Sequence, residues 1–396
     1  MTDRPAIRLR PKSGRRLLQE GAPWAYADEL VLDRRTRKIP AGTIVTLEDS
    51  ERTPVATGAF NAGSKIAFRM LDRAVDADID GDWIRARLTD ALALREALYD
   101  APFYRLAHAE GDGLPGVVID RFGDALVVQP NAAWADMLRG ELVAALADVT
   151  AATTIIVNGQ GRARALEGLP EETVVATGSV DAPIPVPMNG AIYMADLLGG
   201  QKTGLFYDQR PNHAFTARLA AGRRVLDVFS HVGGFGLAAL AHGAESALAV
   251  DGSAPALALA VEGAKRMGAD TRFATRKGDA FETMQALIDE GERFGSVICD
   301  PPAFAPNKQA LDAGLRAYER VARLGAQLVE PGGFLTLCSC SHAADLARFR
   351  EVSLRGIARA GRLAQVLRTG FAGPDHPVHP ALAETAYLKA ITLRLS

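Results

Sequence analysis

Cysteine is scarce, with three residues, Cys299, Cys338 and Cys340, in a chain of 396. So small and odd a number builds no disulfide framework. Cys338 and Cys340 stand two apart, so in a strand they share a face and are poorly placed to bridge each other. Zinc fails on the same count. Only His342 follows the pair, too few ligands for a tetrahedral site, and no metal is expected. Long apolar runs are also missing, since the longest uncharged stretch, VFSHVGGFGLAALAHGA, is interrupted by glycine and histidine and a spanning helix needs about 20 mostly apolar residues. The opening MTDRPAIRLRPKSGRR is charged without an apolar core, so no signal peptide is expected. The chain reads as cytoplasmic, without a membrane partner.

Net charge is small as well, at −2, and gives no sign of a nucleic-acid partner. Its distribution does. Residues 1–73 hold 14 Lys and Arg against 9 Asp and Glu, clustered in RLRPKSGRR and RRTRK. Local basic patches govern phosphate contact more than the whole-chain sum, although a solvated charged face explains the clusters as well. Arg8, Arg10, Lys12, Arg15 and Arg16 are the candidate phosphate contacts. Trp24 and Tyr26 could stack on bases but read better as core.

What is present falls into three segments. Residues 1–73 carry short β-like runs, GTIVTLED, PVATGAF and KIAFRML, bounded by turn residues, and read as a small β-barrel. Residues 74–185 mix helical spacing (DWIRARLTDALALREAL) with strand-like GVVIDRF, DALVVQP and TTIIVN, a central α+β domain. The proline-rich VDAPIPVPMNG reads as a rigid connector. In residues 186–396, apolar strands alternate with helices: RVLDVF, SALAVD, TRFATRKGD, FGSVICD and FLTLCSCS each precede one. That pattern predicts a mostly parallel α/β sheet. The final RLAQVLRTG and TAYLKAITLRLS, with no helix between them, predict an antiparallel last strand.

Ligands of such sheets sit beyond the C-terminal strand ends. Those ends read Asp227–Phe229–Ser230, Asp251, Asp279, Asp300 and Cys340. Gly233 and Gly234 allow close backbone approach after the first strand, and Asp251 follows Asp227 by 24 residues, close to the about 20 expected of an acid gripping ribose hydroxyls. The loop lacks the glycine register a pyrophosphate requires. S-adenosyl-L-methionine, with an ammonium, ribose hydroxyls and an adenine amine but no phosphate, suits acids at successive strand ends: Asp227 for the amino-acid moiety, Asp251 for ribose, Asp279 for adenine. Each acid alone reads equally well as a helix cap; the ordered set does not.

After the fourth strand, CDPPAF places Asp300, Pro301 and Pro302 in a stiff loop with Phe304 able to stack on a base. Loops of this kind occur in enzymes that methylate exocyclic amines, one alternative reading for an RNA adenine or guanine. That reading leaves the thiols unexplained. Cys338 and Cys299 read as filler, whereas Cys340 emerges past the fifth strand. A thiolate adding to carbon 6 of cytosine makes carbon 5 nucleophilic, which splits one hard step into easier ones. Asp300 could then hydrogen-bond the ring nitrogen and amine. A non-catalytic RNA-binding or ribosome-assembly factor is the other alternative.

Taken together, GQKTGLFYDQRPN (200–212), FSHVGGFG, DPPAF, SCSH and DHPV (375–378), with HAEGDGLPGVVIDRFGD (108–124) and APWAYADEL (22–30), resemble the bacterial 23S ribosomal RNA cytosine-5 methyltransferases with an N-terminal PUA domain. The resemblance implies a PUA-like barrel, a central α+β domain and a Rossmann-like class I methyltransferase domain. It implies S-adenosyl-L-methionine as cofactor and RNA, free or in an assembling subunit, as partner, with a homodimer left open. It maps Cys340 onto the family's catalytic cysteine. It also assigns the stretch holding Lys202, Asp208, Gln209 and Arg210 to enclosing cofactor and RNA. Two departures stand out: Ala303 replaces a lysine of better-known members, and no second cysteine follows the Asp-Pro-Pro turn to assist release. His342, His376 and His379 read as structural or substrate-loop residues, without an evident acid–base partner.

Overall fold

The computed structural model describes residues 4–200 and 203–396. The chain forms two compact units: Met1–Ala182 with Leu197–Gly204 and Pro374–Thr385, and Pro183–Asp196 with Leu205–Gly373 and Ala386–Ser396. Two short stretches of the C-terminal half therefore fold with the first unit. Among the described residues no helix is long and apolar enough to cross a membrane.

The first unit opens with a five-stranded sheet in the order Ala6–Arg8, Thr43–Glu48, Pro54–Phe60, Ile66–Asp72, Trp24–Tyr26. Alternating apolar residues put Ile7, Val45, Leu47, Phe60 and Phe68 inside, as a half-buried sheet requires. Its outer strands meet through a Leu9–Leu30 bridge, with Arg10 N donating to Glu29 O at 2.8 Å and Val31 N to Arg8 O at 2.9 Å. The sheet thereby closes into a barrel and protects its edges.

A second five-stranded sheet follows, ordered Thr173–Thr177, Thr154–Asn158, Ala125–Pro130, Val117–Phe122, Phe103–His108. Helix Gly81–Leu98 starts where Asp80 accepts from the Asp82 and Trp83 amides at 3.0 Å, an N-cap that satisfies otherwise orphaned donors. Barrel and sheet are joined by buried charge. Glu110 accepts from Trp24 Nε1 (2.9 Å) and Arg69 (3.1 Å), while Glu167 accepts from Ser64 (2.8 Å), Arg69 (3.0 Å) and Asn61 (3.1 Å). Trp24 is thus a structural residue. The 374–385 stretch is pinned the same way: Asp375 accepts from Arg105 N at 3.1 Å, its carbonyl accepts from Arg95 at 2.8 Å, and its Oδ1 lies 2.9 Å from His376 Nδ1. His376 therefore does have an acid partner, its sequence neighbour, contrary to the expectation above.

The second unit begins with an antiparallel hairpin, Ile184–Met188 with Ala191–Ala195, where the sequence suggested only a connector. Asn189 (φ 53°) and Gly190 (φ 74°) make its turn, a conformation Asn-Gly favours. Pro185 and Pro187 fall on the exposed face of an edge strand, where proline is tolerated.

The main sheet comprises β1 (Arg224–Val228), β2 (Ser246–Asp251), β3 (Phe273–Lys277), β4 (Phe294–Cys299), β5 (Val329–Ser339), β6 (Ala364–Gly370) and β7 (Lys389–Leu395). Their order is β3-β2-β1-β4-β5-β7-β6. The first five are parallel, and β7 enters antiparallel between β5 and β6, as expected. The accompanying helices are α1 (Arg210–Leu219), α2 (Gly234–Ala241), α3 (Ala254–Arg266), α4 (Ala280–Asp289), α5 (Leu311–Leu328) and α6 (Leu346–Arg359). Parallel pairing carries the C-terminal ends of β1 to β5 to one edge, with the strand order reversing at β1 and β4, where such sheets bind ligands.

Candidate active site

At that edge the β1–α2 loop is under strain. Phe229 and His231 hold φ of 62° and 49°, and Gly233 holds 80°. Positive φ at two residues with side chains costs on the order of 1–3 kcal/mol each and persists only where the surroundings impose it. Asp251 imposes it: one carboxylate oxygen accepts from His231 N at 2.8 Å, the other from Ser253 N at 2.7 Å. Gly234 is required for a different reason, since a Cβ there would lie 2.8 Å from His213 Nε2. His213, on α1, is held neutral by burial, its pKa pushed down to about 3.

Asp227 is fully buried, its Oδ2 accepting from Gly236 N at 2.8 Å. Its Oδ1 has no partner among the described residues, and burial pushes its pKa up to about 7. It anchors α2 from beneath the loop. Ser230 is likewise buried, its hydroxyl without a partner among the described residues. Asp279 caps α4, one oxygen accepting from Phe281 N (2.9 Å) and Glu282 N (3.1 Å), the helix-cap role foreseen as its alternative; its other oxygen is not used by the cap.

Phe229, Phe281 and Phe304 form a half-buried triangle with ring centres 6.0–6.3 Å apart, an aromatic surface able to flank a flat heterocycle. Phe281 escaped the sequence reading, although it lies two residues past Asp279. Phe206 packs against His231 at 5.1 Å, which brings the 205–209 stretch onto the loop. Asp208 accepts from Tyr387 at 2.6 Å, and Gln209 accepts from Asn212 at 2.7 Å, so both tie α1 in place. Arg210 lies 5.7 Å from the Tyr207 ring. Lys202 lies outside the described residues.

The three thiols separate cleanly. Cys299 and Cys338 are buried and Cys340 is half-exposed. Burial drives the Cys299 and Cys338 thiols well above their usual pKa, where they are inert. The residues flanking Cys340 are fixed. Ser339 Oγ donates to Tyr318 Oη at 2.9 Å, Tyr318 Oη and Ser341 Oγ lie 2.7 Å apart, and Ser341 Oγ accepts from Ala305 N at 2.9 Å. This chain locks the turn after β5 to the Asp300–Ala305 loop, where Pro301 is buried and Pro302 exposed. Tyr318, midway along α5, and Lys389, opening β7 and donating from Nζ to Ser341 O at 2.6 Å, were also missed; only their distance in sequence hid them.

An S-adenosylmethionine-dependent methyltransferase family model matches residues 148–394. The chain belongs to that family. A PUA-like domain model matches residues 7–73 of the methyltransferase. The ribosomal RNA large subunit methyltransferase I of Tolumonas auensis is 36% identical over 378 residues, spanning 94% of this chain and 95% of that protein. The protein of the same name from Shewanella amazonensis is 34% identical over 396 residues, 98% and 100% of the two. Two solved structures share the fold over 98% of this chain and all of theirs: SMU.776, complexed with SAH, at TM-score 0.83 and 19% identity, and a Streptococcus mutans protein at 0.82 and 18%. S-adenosyl-L-methionine is thus the methyltransferase's cofactor, and the residues fit it. The left-handed β1–α2 loop turns sharply at the strand end, Asp251 is a half-buried carboxylate fixed there by two backbone amides, and the phenylalanine triangle offers a stacking face.

Basic residues of the barrel are distributed unevenly. Lys12, Arg15 and Arg16 are exposed, with Arg15 3.4 Å from Glu20 and Arg16 donating to Ala381 O at 2.9 Å. Arg10 is exposed but spends its Nε on Leu30 O at 2.8 Å, and Arg8 is half-buried in a strand.

Proposed function

We propose that this methyltransferase forms 5-methylcytosine in the 23S RNA of the large ribosomal subunit, with Cys340 as nucleophile. One observation carries the reading: of three thiols, Cys340 alone is accessible, at the C-terminal edge of β5, on a turn tied to the Asp300 loop. Relatives covering nearly the whole chain bear the name of a large-subunit ribosomal RNA methyltransferase, and the basic barrel suits an RNA partner.

In this reading the Cys340 thiolate forms a bond to carbon 6, and the ring π pair moves toward carbon 5 while Asp300 supports the ring nitrogen and exocyclic amine. S-adenosyl-L-methionine supplies an electrophilic methyl group for that electron pair. Loss of the carbon-5 proton to a base then expels the thiolate and restores the ring. Asp251, Phe229, Ser230, Gly233, Gly234 and Asp279 are assigned to the cofactor, with Asp227 supporting the loop from below and Asp208 and Gln209 holding the adjacent wall. Pro301, Pro302, Phe304, Lys202 and Arg210 are assigned to RNA, together with Arg8, Arg10, Lys12, Arg15 and Arg16. The same reading divides the chain into an RNA-binding barrel (1–73), a central domain (74–185) and the methyltransferase domain (186–396).

Nucleoside mass spectrometry and base mapping of ribosomal RNA from a deletion strain and its parent test the assignment. One 5-methylcytidine should disappear from the large-subunit RNA. Loss of a methylated adenine or guanine amine instead would overturn it.

A further inference from the structure

A buried ammonium without a carboxylate stands beside the candidate nucleophile. Lys389 opens β7 directly opposite Ser339 in the antiparallel ladder and is 5% exposed. Its Nζ donates to Ser341 O at 2.6 Å and Ala344 O at 2.7 Å, the carbonyls of the turn that Cys340 begins. It makes no ion pair with Asp or Glu among the described residues, although buried charges are costly unless compensated. Two carbonyl dipoles supply part of that compensation and leave a third N–H donor for an anion. Among the described residues, the ionisable groups about the turn are His342, exposed within it, Tyr318 on α5, Cys338 within β5, Asp300 after β4, Asp345 at the head of α6 and Lys389 itself. Lys389 is the buried cation among these described residues, and both carboxylates oppose ionisation of a thiol.

Resting on the reading of Cys340 as nucleophile, we propose that Lys389 is the counter-ion of the Cys340 thiolate, holding it ionised and aimed before RNA arrives. The thiol proton leaves to solvent, and Lys389 keeps its own. Burial lowers the lysine's pKa overall, and Cys340, ahead of Asp345, works against that lowering. Lys389 acts through Cys340 and is a positioning residue.

The test is the pH dependence of Cys340 alkylation by iodoacetamide in the full chain without RNA, read by peptide mass spectrometry from pH 6 to 10. The wild-type midpoint should fall below the about 8.5 of a free thiol. In Lys389→Met it should rise by a unit or more, so the rate at pH 7 drops about tenfold, and Lys389→Arg should restore much of it. A wild-type midpoint at or above the free value overturns the proposal, as does an unchanged midpoint in Lys389→Met. Should the methionine variant fail to fold, the wild-type titration alone decides. Retained turnover in Cys340→Ala would end the covalent reading separately, while the titration still decides the ion pair.

Discussion

Tyr318→Phe removes one oxygen atom, and the structure says what that atom holds. The hydroxyl accepts from Ser339 Oγ at 2.9 Å and lies 2.7 Å from Ser341 Oγ, inside a core where Tyr318 is 2% exposed. Without it the Ser339 hydroxyl proton loses its acceptor, whereas Ser341 keeps the Ala305 amide. A buried polar group left unsatisfied costs about 1–3 kcal/mol. For a domain of 150–250 residues each kcal/mol lowers the midpoint by about 2–4 °C, so the second unit's transition should fall by about 2–12 °C. Scanning calorimetry of Tyr318→Phe, Ser341→Ala and the double variant reads this directly. Because the two hydroxyls share one chain, the double variant should lose less than the sum of the singles, by about 0.5–3 kcal/mol. Methylation should fall too, since the turn bearing Cys340 loosens. Tyr318→Phe unfolding within 1 °C of wild type, with strictly additive effects, would refute the idea that this chain fixes the thiol.

Three further outcomes follow from individual residues. Asp227 has its pKa raised on folding from 3.8 to about 7, so the native state is penalised increasingly as pH climbs through that window; Asp227→Asn should gain thermal stability relative to wild type from pH 4 to 7 and then plateau, and a constant difference across pH would contradict this. His108 is the opposite case: burial and the neighbouring His376 and arginines lower its pKa from 6.5 to about 2, so stability should be lost as pH falls below 6.5, and His108→Gln should flatten that acid limb in pH-dependent melts. Neutralising Lys12, Arg15 and Arg16 should weaken RNA binding and reduce the salt slope by about 0.7–0.9 for each phosphate no longer neutralised, measured by filter binding against salt; an unchanged slope places the RNA interface elsewhere.

Periodicity was enough to read the alternating half of the chain. Strands such as RVLDV and SALAVD are continuous apolar runs because helices cover both their faces, and the absence of a helix before TAYLKAITLRLS announced the antiparallel β7. The Pro-rich stretch at 182–190 misled because proline was weighed as a linker signal, when alternate prolines on an exposed edge are compatible with a strand and Asn189–Gly190 is a hairpin turn. In the site, Asp251, Phe229, Phe304 and Cys340 were legible because each ends a strand or opens a loop at the ligand edge. Asp227 was placed at that edge by position, yet its carboxylate turns beneath the loop to meet Gly236 N. Tyr318 and Lys389 were invisible because their partners are remote in sequence, and nothing near them in the chain hints at the turn they hold. The same holds for Asp375–His376, whose partners Arg95 and Arg105 lie more than 250 residues away.

The most direct test incubates the protein and S-adenosyl-L-methionine with large-subunit RNA carrying 5-fluorocytidine, whose carbon-5 fluorine blocks the final elimination. Wild type should give a covalent protein–RNA species that maps to Cys340 and vanishes in Cys340→Ala along with all methyl transfer to normal RNA. Full methylation by Cys340→Ala, or an adduct mapping to another residue, would contradict it.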